Sequence, residues 1–153
     1  MVGGTRSQGD GVEHALKGYL DGRLAPAQFA IRYVIQGPSG TTEARFAGTG
    51  EYRLSSTVTA DHRPRSFIGR MGPHDVRELA LVALRAGLWR AAHVGSVDGG
   101  AETRIDVTAG EQTFSVVLWT SETAEVRSFD QVQQRILRLV HRLTGGAVQE
   151  VGR

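Results

Sequence analysis

The sequence predicts an α+β domain: an antiparallel sheet of about five strands, two main helices packed on one face, and a short helix before them. Two patterns carry this prediction. Residues 29–35 and 103–119 alternate apolar and polar side chains, as half-buried strands do. Residues 73–86 and 128–144 repeat apolar side chains at three- and four-residue steps, as amphipathic helices do. The order helix, strands, helix, hairpin, helix then favours an antiparallel sheet over a parallel one.

The first eleven residues, MVGGTRSQGDG, are Gly-rich and polar and predict a flexible N-terminus. Over 12–25, Val12, Leu16, Tyr19 and Leu20 form the apolar side of a short helical appendage, weakened by Gly18 and ended by Asp21-Gly22. Phe29, Ile31, Tyr33 and Ile35 point one way and Arg32 the other. Gly37-Pro38-Ser39-Gly40 is a turn by composition. Strands follow over 43–47, 51–59 and 66–69, with Gly48 and Gly50 marking a bulge or tight bend.

Pro73 in a first turn, with Asp75 and Glu78 near the positive end of the helix dipole, opens the second helix. Its buried stripe is Val76, Leu79, Ala80, Ala83 and Leu84, with Val82 at the margin, and Gly87 is placed to cap it. Ala109-Gly110 turns the hairpin over 103–119, where Val117 and Trp119 predict a strand covered on both sides. The last helix takes Ser128 as cap, with Gln131 three residues on, and closes at Gly145-Gly146. One domain over 12–146 and a tail over 147–153 result.

The last helix has two contrasting faces. Phe129, Val132, Ile136, Leu139 and Leu143 form one stripe, and Arg135, Arg138 and Arg142 a second, centred roughly 110° away at ~100° per residue. That basic stripe is predicted to be a partner-binding ridge.

Composition narrows the function classes. The 40% apolar and 22% charged residues are ordinary for a globular chain. Seventeen arginines against one lysine, and no asparagine or cysteine, point to a bacterial genome rich in G and C rather than to selection for phosphate binding. The net charge is only +2, but it is unevenly spread: residues 61–90 carry six basic and three acidic groups, and residues 91–127 carry two and six. Without cysteine there are no disulfides or thiolate sites. The absence of a signal-like apolar run and of a membrane-length apolar segment predicts a cytoplasmic protein with no membrane partner.

Candidate chemistry is sparse. Asp61-His62 and His74-Asp75 could form a metal or acid–base site if their loops met, yet the spacing matches no ligand motif. Ser39 and Ser96 lack a nucleophile-elbow context, and Gly48-Thr49-Gly50 lacks the rest of a dinucleotide fingerprint. His14, His93 and His141 are isolated. No catalytic residue, metal or cofactor is therefore expected. Arg63, Arg65 and Arg70 add a second basic group before the second helix, and together with the ridge they could bind phosphates. The acidic hairpin would repel the same backbone.

The stretches FAIRYVIQGPSG, HDVRELALVALRAG, TRIDVTAGEQTFSVVLW and FDQVQQRILRLV, in that order, resemble the pattern of small bacterial emfourin-like proteins, inhibitors of thermolysin-like metalloproteases. The resemblance spans 29–143, carries over no particular residue, and implies a protein that acts by binding another protein. The expectation is a non-enzymatic interaction module (inhibitor, adaptor or assembly subunit) whose partner is another protein or a second copy of itself. The alternatives are polyanion binding through the arginines and a small metal-dependent enzyme using His62 and His74.

Overall fold

Alternation places Phe29, Ile31, Tyr33 and Ile35 on one face of strand β1 (Phe29–Gly37), and all four are fully buried. In the computed structural model, which describes residues 4–58, 65–90 and 100–145, β1 lies near the middle of one six-stranded antiparallel sheet. The two-residue loop Pro38-Ser39 pairs β1 with β2 (Gly40–Ala47), matching Gly37 to Gly40. A tight bend through residues 48–50 leads to β3 (Glu51–Val58), and β4 (Arg65–Arg70) forms one sheet edge. The hairpin of β5 (Glu102–Ala109) and β6 (Gln112–Trp119) joins the other side of β1, so the strand order is β4-β3-β2-β1-β5-β6. The six strands are those marked segment by segment in the sequence, the short one over 66–69 included, one more than the overall figure of about five.

Three α-helices, α1 (Gly4–Leu20), α2 (Pro73–Ala86) and α3 (Arg127–Thr144), contribute to one hydrophobic core with the inward side chains of the sheet. α2 buries Val76, Leu79, Ala80 and Ala83, while Leu84 and Val82 lie at its border. Gly87 caps it in the left-handed region at φ 67°, and Leu88 folds back fully buried. α3 ends the same way at Gly145, φ 62°. None of the helices among the described residues is long and apolar enough to cross a membrane.

Three expectations are corrected. First, α1 is longer than the short appendage expected over 12–25. Its helix begins at Gly4, and Val12, Leu16 and Tyr19 belong to the common core, with the Tyr19 ring stacked on Phe29 at 4.3 Å. Arg77 of α2 donates to the Leu20 carbonyl at 2.6 Å, which satisfies one of the open acceptors at the end of α1. Second, Ser128 does not cap α3. Residues Thr120–Glu125 form a 3₁₀ segment that runs almost straight into the helix, so the cap falls on Val126 and Ser128 is already inside. Third, the covering of β6 on both sides holds only at its end. Trp119 is buried beside Gly100, whereas Val117 is only half-buried.

A polar network pins α3 to the sheet. The Tyr33 hydroxyl donates to Gln133 Oε1 at 2.9 Å, and Gln133 Nε2 lies 3.2 Å from both Thr123 Oγ1 and Asp130 Oδ1. Gln133 is only 3% exposed. A buried amide of this kind is stable only when its hydrogen bonds are made.

Candidate functional site

The predicted ridge is real as a stripe but differs in character from expectation. Arg142 Nη2 lies 2.8 Å from Asp75 and Arg135 Nη2 lies 3.4 Å from Glu78, so both arginines reach carboxylates on α2. Only Arg138 of the three has no ion-pair partner among the described residues. It shares a hollow between α2 and α3 with Arg85 and Asp130. Two thirds of the ridge is thus a latch between helices. Replacing Arg135 and Arg142 together by glutamate should lower stability by about 1–2 kcal/mol in low salt, since each exposed pair is worth ~0.2–1 kcal/mol and like charges would now face each other. Thermal melts at low and high salt check this: the deficit should shrink as salt screens it.

The second basic group does not join the ridge. Arg63 lies outside the described residues, as do Asp61, His62, His93, Ser96 and the tail over 147–153. Arg65 and Arg70 sit at the two ends of edge strand β4. Arg70 is paired with Glu51 at 2.9 Å on the sheet face away from the helices. His74 is exposed and faces Glu78 at 3.7 Å, Asp75 is taken by Arg142, and His14 and His141 are exposed. Among the described residues no group of three His, Asp or Glu side chains is placed to hold a metal.

What the strand register does bring together lies on the uncovered face of the sheet. Directly opposite residues of antiparallel strands share a face. Arg32 of β1 is opposite Arg45 of β2, Arg45 is opposite Arg53 of β3, and Arg53 is opposite Ile68 of β4. On the other side Arg32 is opposite Asp106, which is opposite Ser115. One row across the sheet therefore reads Ser115, Asp106, Arg32, Arg45, Arg53, Ile68.

The two halves of that row are electrostatically unlike. Arg32 bonds Glu43 at 2.8 Å and Asp106 at 3.4 Å. The Glu43 hydrogen bond leads in raising its pKa above the usual guanidinium value, with the charges of Glu43 and Asp106 adding to it against partial burial. Asp106 also accepts from Arg104 at 2.7 Å and from the Ser115 hydroxyl. Glu51 is taken by Arg70. The carboxylates in this row and in the rows beside it, Asp106, Glu43 and Glu51, are all engaged by other arginines.

Arg45 and Arg53 are left exposed, facing each other with no ion-pair partner among the described residues. Beside them Ile68 is 72% exposed, the large hydrophobic side chain left in water among the described residues. A shallow hollow of about 720 Å³ runs between Arg45, Arg53, Ile68 and Arg70. Phase alone marks Arg32 as outward. The meeting of Arg32, Arg45 and Arg53 could have been read only by fixing both hairpin registers from the two-residue Pro38-Ser39 loop and the Gly48–Gly50 bend.

Fold and surface together define a single-sheet α+β protein with helices on one side and an open, arginine-centred strand face on the other. No protein-family model matches the chain, and no curated protein matches it.

Proposed function

We propose that this protein is a non-enzymatic interaction module that docks another protein on the uncovered face of its sheet. The observation that carries the reading is the Arg45–Arg53 pair. Two like charges directly opposite on a sheet destabilise the free fold, and among the described residues neither arginine has an ion-pair partner, the flanking Glu43 and Glu51 being held by Arg32 and Arg70. Such a cost is expected where a partner supplies the missing charge. The adjoining exposed Ile68 supplies apolar contact area at the same place. The resemblance of the element order to emfourin-like inhibitors also favours a protein partner.

The reading separates function from stability in a way that can be measured. Arg45→Glu places a carboxylate between Arg32 and Arg53, so that charges along the row alternate in sign. It should raise stability by ~0.2–1 kcal/mol in chemical denaturation. A fall in stability would show that Arg45 is already satisfied in the free chain. The contact itself is tested with a photoreactive amino acid at Ser66, which lies on the open face opposite Ser55, and at His141, which lies on the helical layer. Ultraviolet irradiation in the native host should give protein adducts from Ser66 and not from His141. Adducts from His141 alone, or from neither site, would overturn the reading.

A further inference from the structure

We infer that the partner of the open sheet face is an extended, acidic segment of another protein, whose carboxylates engage Arg45 and Arg53 while an adjacent apolar side chain rests on Ile68. This inference depends on the docking role assigned to that face above and adds the chemistry of what docks.

Spacing is the first reason. Neighbouring strands lie ~4.8 Å apart, so Arg45, Arg53 and Ile68, directly opposite one another on β2, β3 and β4, form a row with that step. An extended peptide places alternate side chains on one side at ~6.6–6.8 Å, within the slack of two long arginine stems. Acid, acid, apolar at every second residue thus matches arginine, arginine, isoleucine. Guanidinium groups donate two parallel hydrogen bonds to a carboxylate, which gives orientation as well as attraction.

Charge pattern is the second reason, and it separates a carboxylate-bearing protein from a nucleic acid. A phosphate backbone is a continuous anion and binds along a continuous basic track. Here the basic spot is short. Glu43 and Glu51 flank it in the rows on either side, and Asp106 lies in the row beyond Arg32. Those carboxylates would face the phosphates of any strand that continued past Arg45 and Arg53. A compact pair of carboxylates meets only the two arginines.

A second copy of the chain does not fit either. A two-fold axis through the row sets Arg45 and Arg53 against their own counterparts.

The test uses the full-length protein and three probes: a labelled peptide Thr-Glu-Thr-Glu-Thr-Leu-Thr, the same peptide with Gln for each Glu, and a random DNA duplex. Binding is followed by fluorescence anisotropy and by NMR of the arginine Nε–H groups, with protein up to ~1 mM to detect weak affinity. The Glu peptide should bind and shift Arg45 and Arg53 Nε–H, and the Gln peptide should bind at least ~10-fold more weakly. Arg45→Gln with Arg53→Gln should abolish the difference between the peptides, with melting unchanged or raised. Ile68→Ser should weaken the Glu peptide without moving the arginine shifts elsewhere.

No binding of the Glu peptide, equal binding of the Gln peptide, shifts confined to Arg138, or preference for the duplex would each overturn the inference. If the peptide fails while Ser66 still yields protein adducts, the acidic chemistry falls and the docking face stands. If Ser66 yields none, both fall.

Discussion

Gly50→Ala should lower the melting temperature by roughly 6–20 °C, the largest shift expected of a methyl group added at any described glycine. Gly50 holds φ 98°, a region that side-chain-bearing residues rarely enter, at a strain of about 1–3 kcal/mol. A Cβ there would also sit 2.2 Å from the Met71 carbonyl oxygen, which is backbone and has little freedom to retreat. Retreat would break the bond from Met71 N to the Gly50 carbonyl, 2.8 Å long, that ties the end of β4 to the bend. Together these effects amount to about 3–5 kcal/mol, a large part of the ~5–15 kcal/mol that holds a typical domain folded. At this chain length each kcal/mol moves the midpoint by roughly 2–4 °C. Gly72→Ala is the matched control, because its Cβ would meet nothing within 4 Å. It should cost less than ~1 kcal/mol, so calorimetry of the two variants side by side decides whether the bend at Gly50 is as constrained as its geometry implies. The bend also bears on function, since it sets the register of β2 on β3 and hence places Arg45 opposite Arg53.

Gln133→Leu should cost about 2–4 kcal/mol despite adding an apolar side chain to a buried helix position. The amide receives the Tyr33 hydroxyl and donates to Thr123 and Asp130, and removing it strips the buried Tyr33 and Thr123 hydroxyls of a hydrogen bond away from water. Each buried group so deprived costs ~1–3 kcal/mol. Pairing the change with Tyr33→Phe removes the hydroxyl whose hydrogen bond Gln133 accepts. The double variant should therefore be more stable than the sum of the singles implies, by about 1 kcal/mol or more. Urea denaturation of the four members of the cycle measures that coupling. Strict additivity would mean that Tyr33 and Gln133 do not act as a unit.

Much of this fold is legible in the sequence because local rules agree with the global arrangement. The alternation of Phe29, Ile31, Tyr33 and Ile35, the stripes of α2 and α3, and the glycine caps at Gly87 and Gly145 all follow from periods and turn chemistry that need no long-range information. The failures occur where distant segments decide. The Gly-rich start of α1 has poor helix propensity, yet α1 is helical from Gly4 because its apolar side closes the core and Gly11 comes close to Gln112 of β6, where a Cβ would lie 2.7 Å from the Gln112 amide oxygen.

The ion pairs of the α3 ridge are hidden in the sequence for the same kind of reason. No acid lies within the α3 stripe itself, and only the packing of α2 against α3 brings Asp75 and Glu78 to Arg142 and Arg135. The open-face row is hidden in the linear pattern because Arg32, Arg45 and Arg53 stand on three separate strands. Their meeting depends on two turns acting together, and a one-residue slip in either would turn Arg45 or Arg53 to the other face.

One comparison decides where the partner binds. Tagged wild-type protein, the Arg45→Glu/Arg53→Glu variant and Arg138→Glu are each used as bait in the native host, and the recovered proteins are quantified by mass spectrometry. The account predicts one partner retained by wild type and by Arg138→Glu and lost by at least ~10-fold in the sheet-face variant, which itself remains folded. A partner that survives the sheet-face reversal and disappears with Arg138→Glu would contradict it.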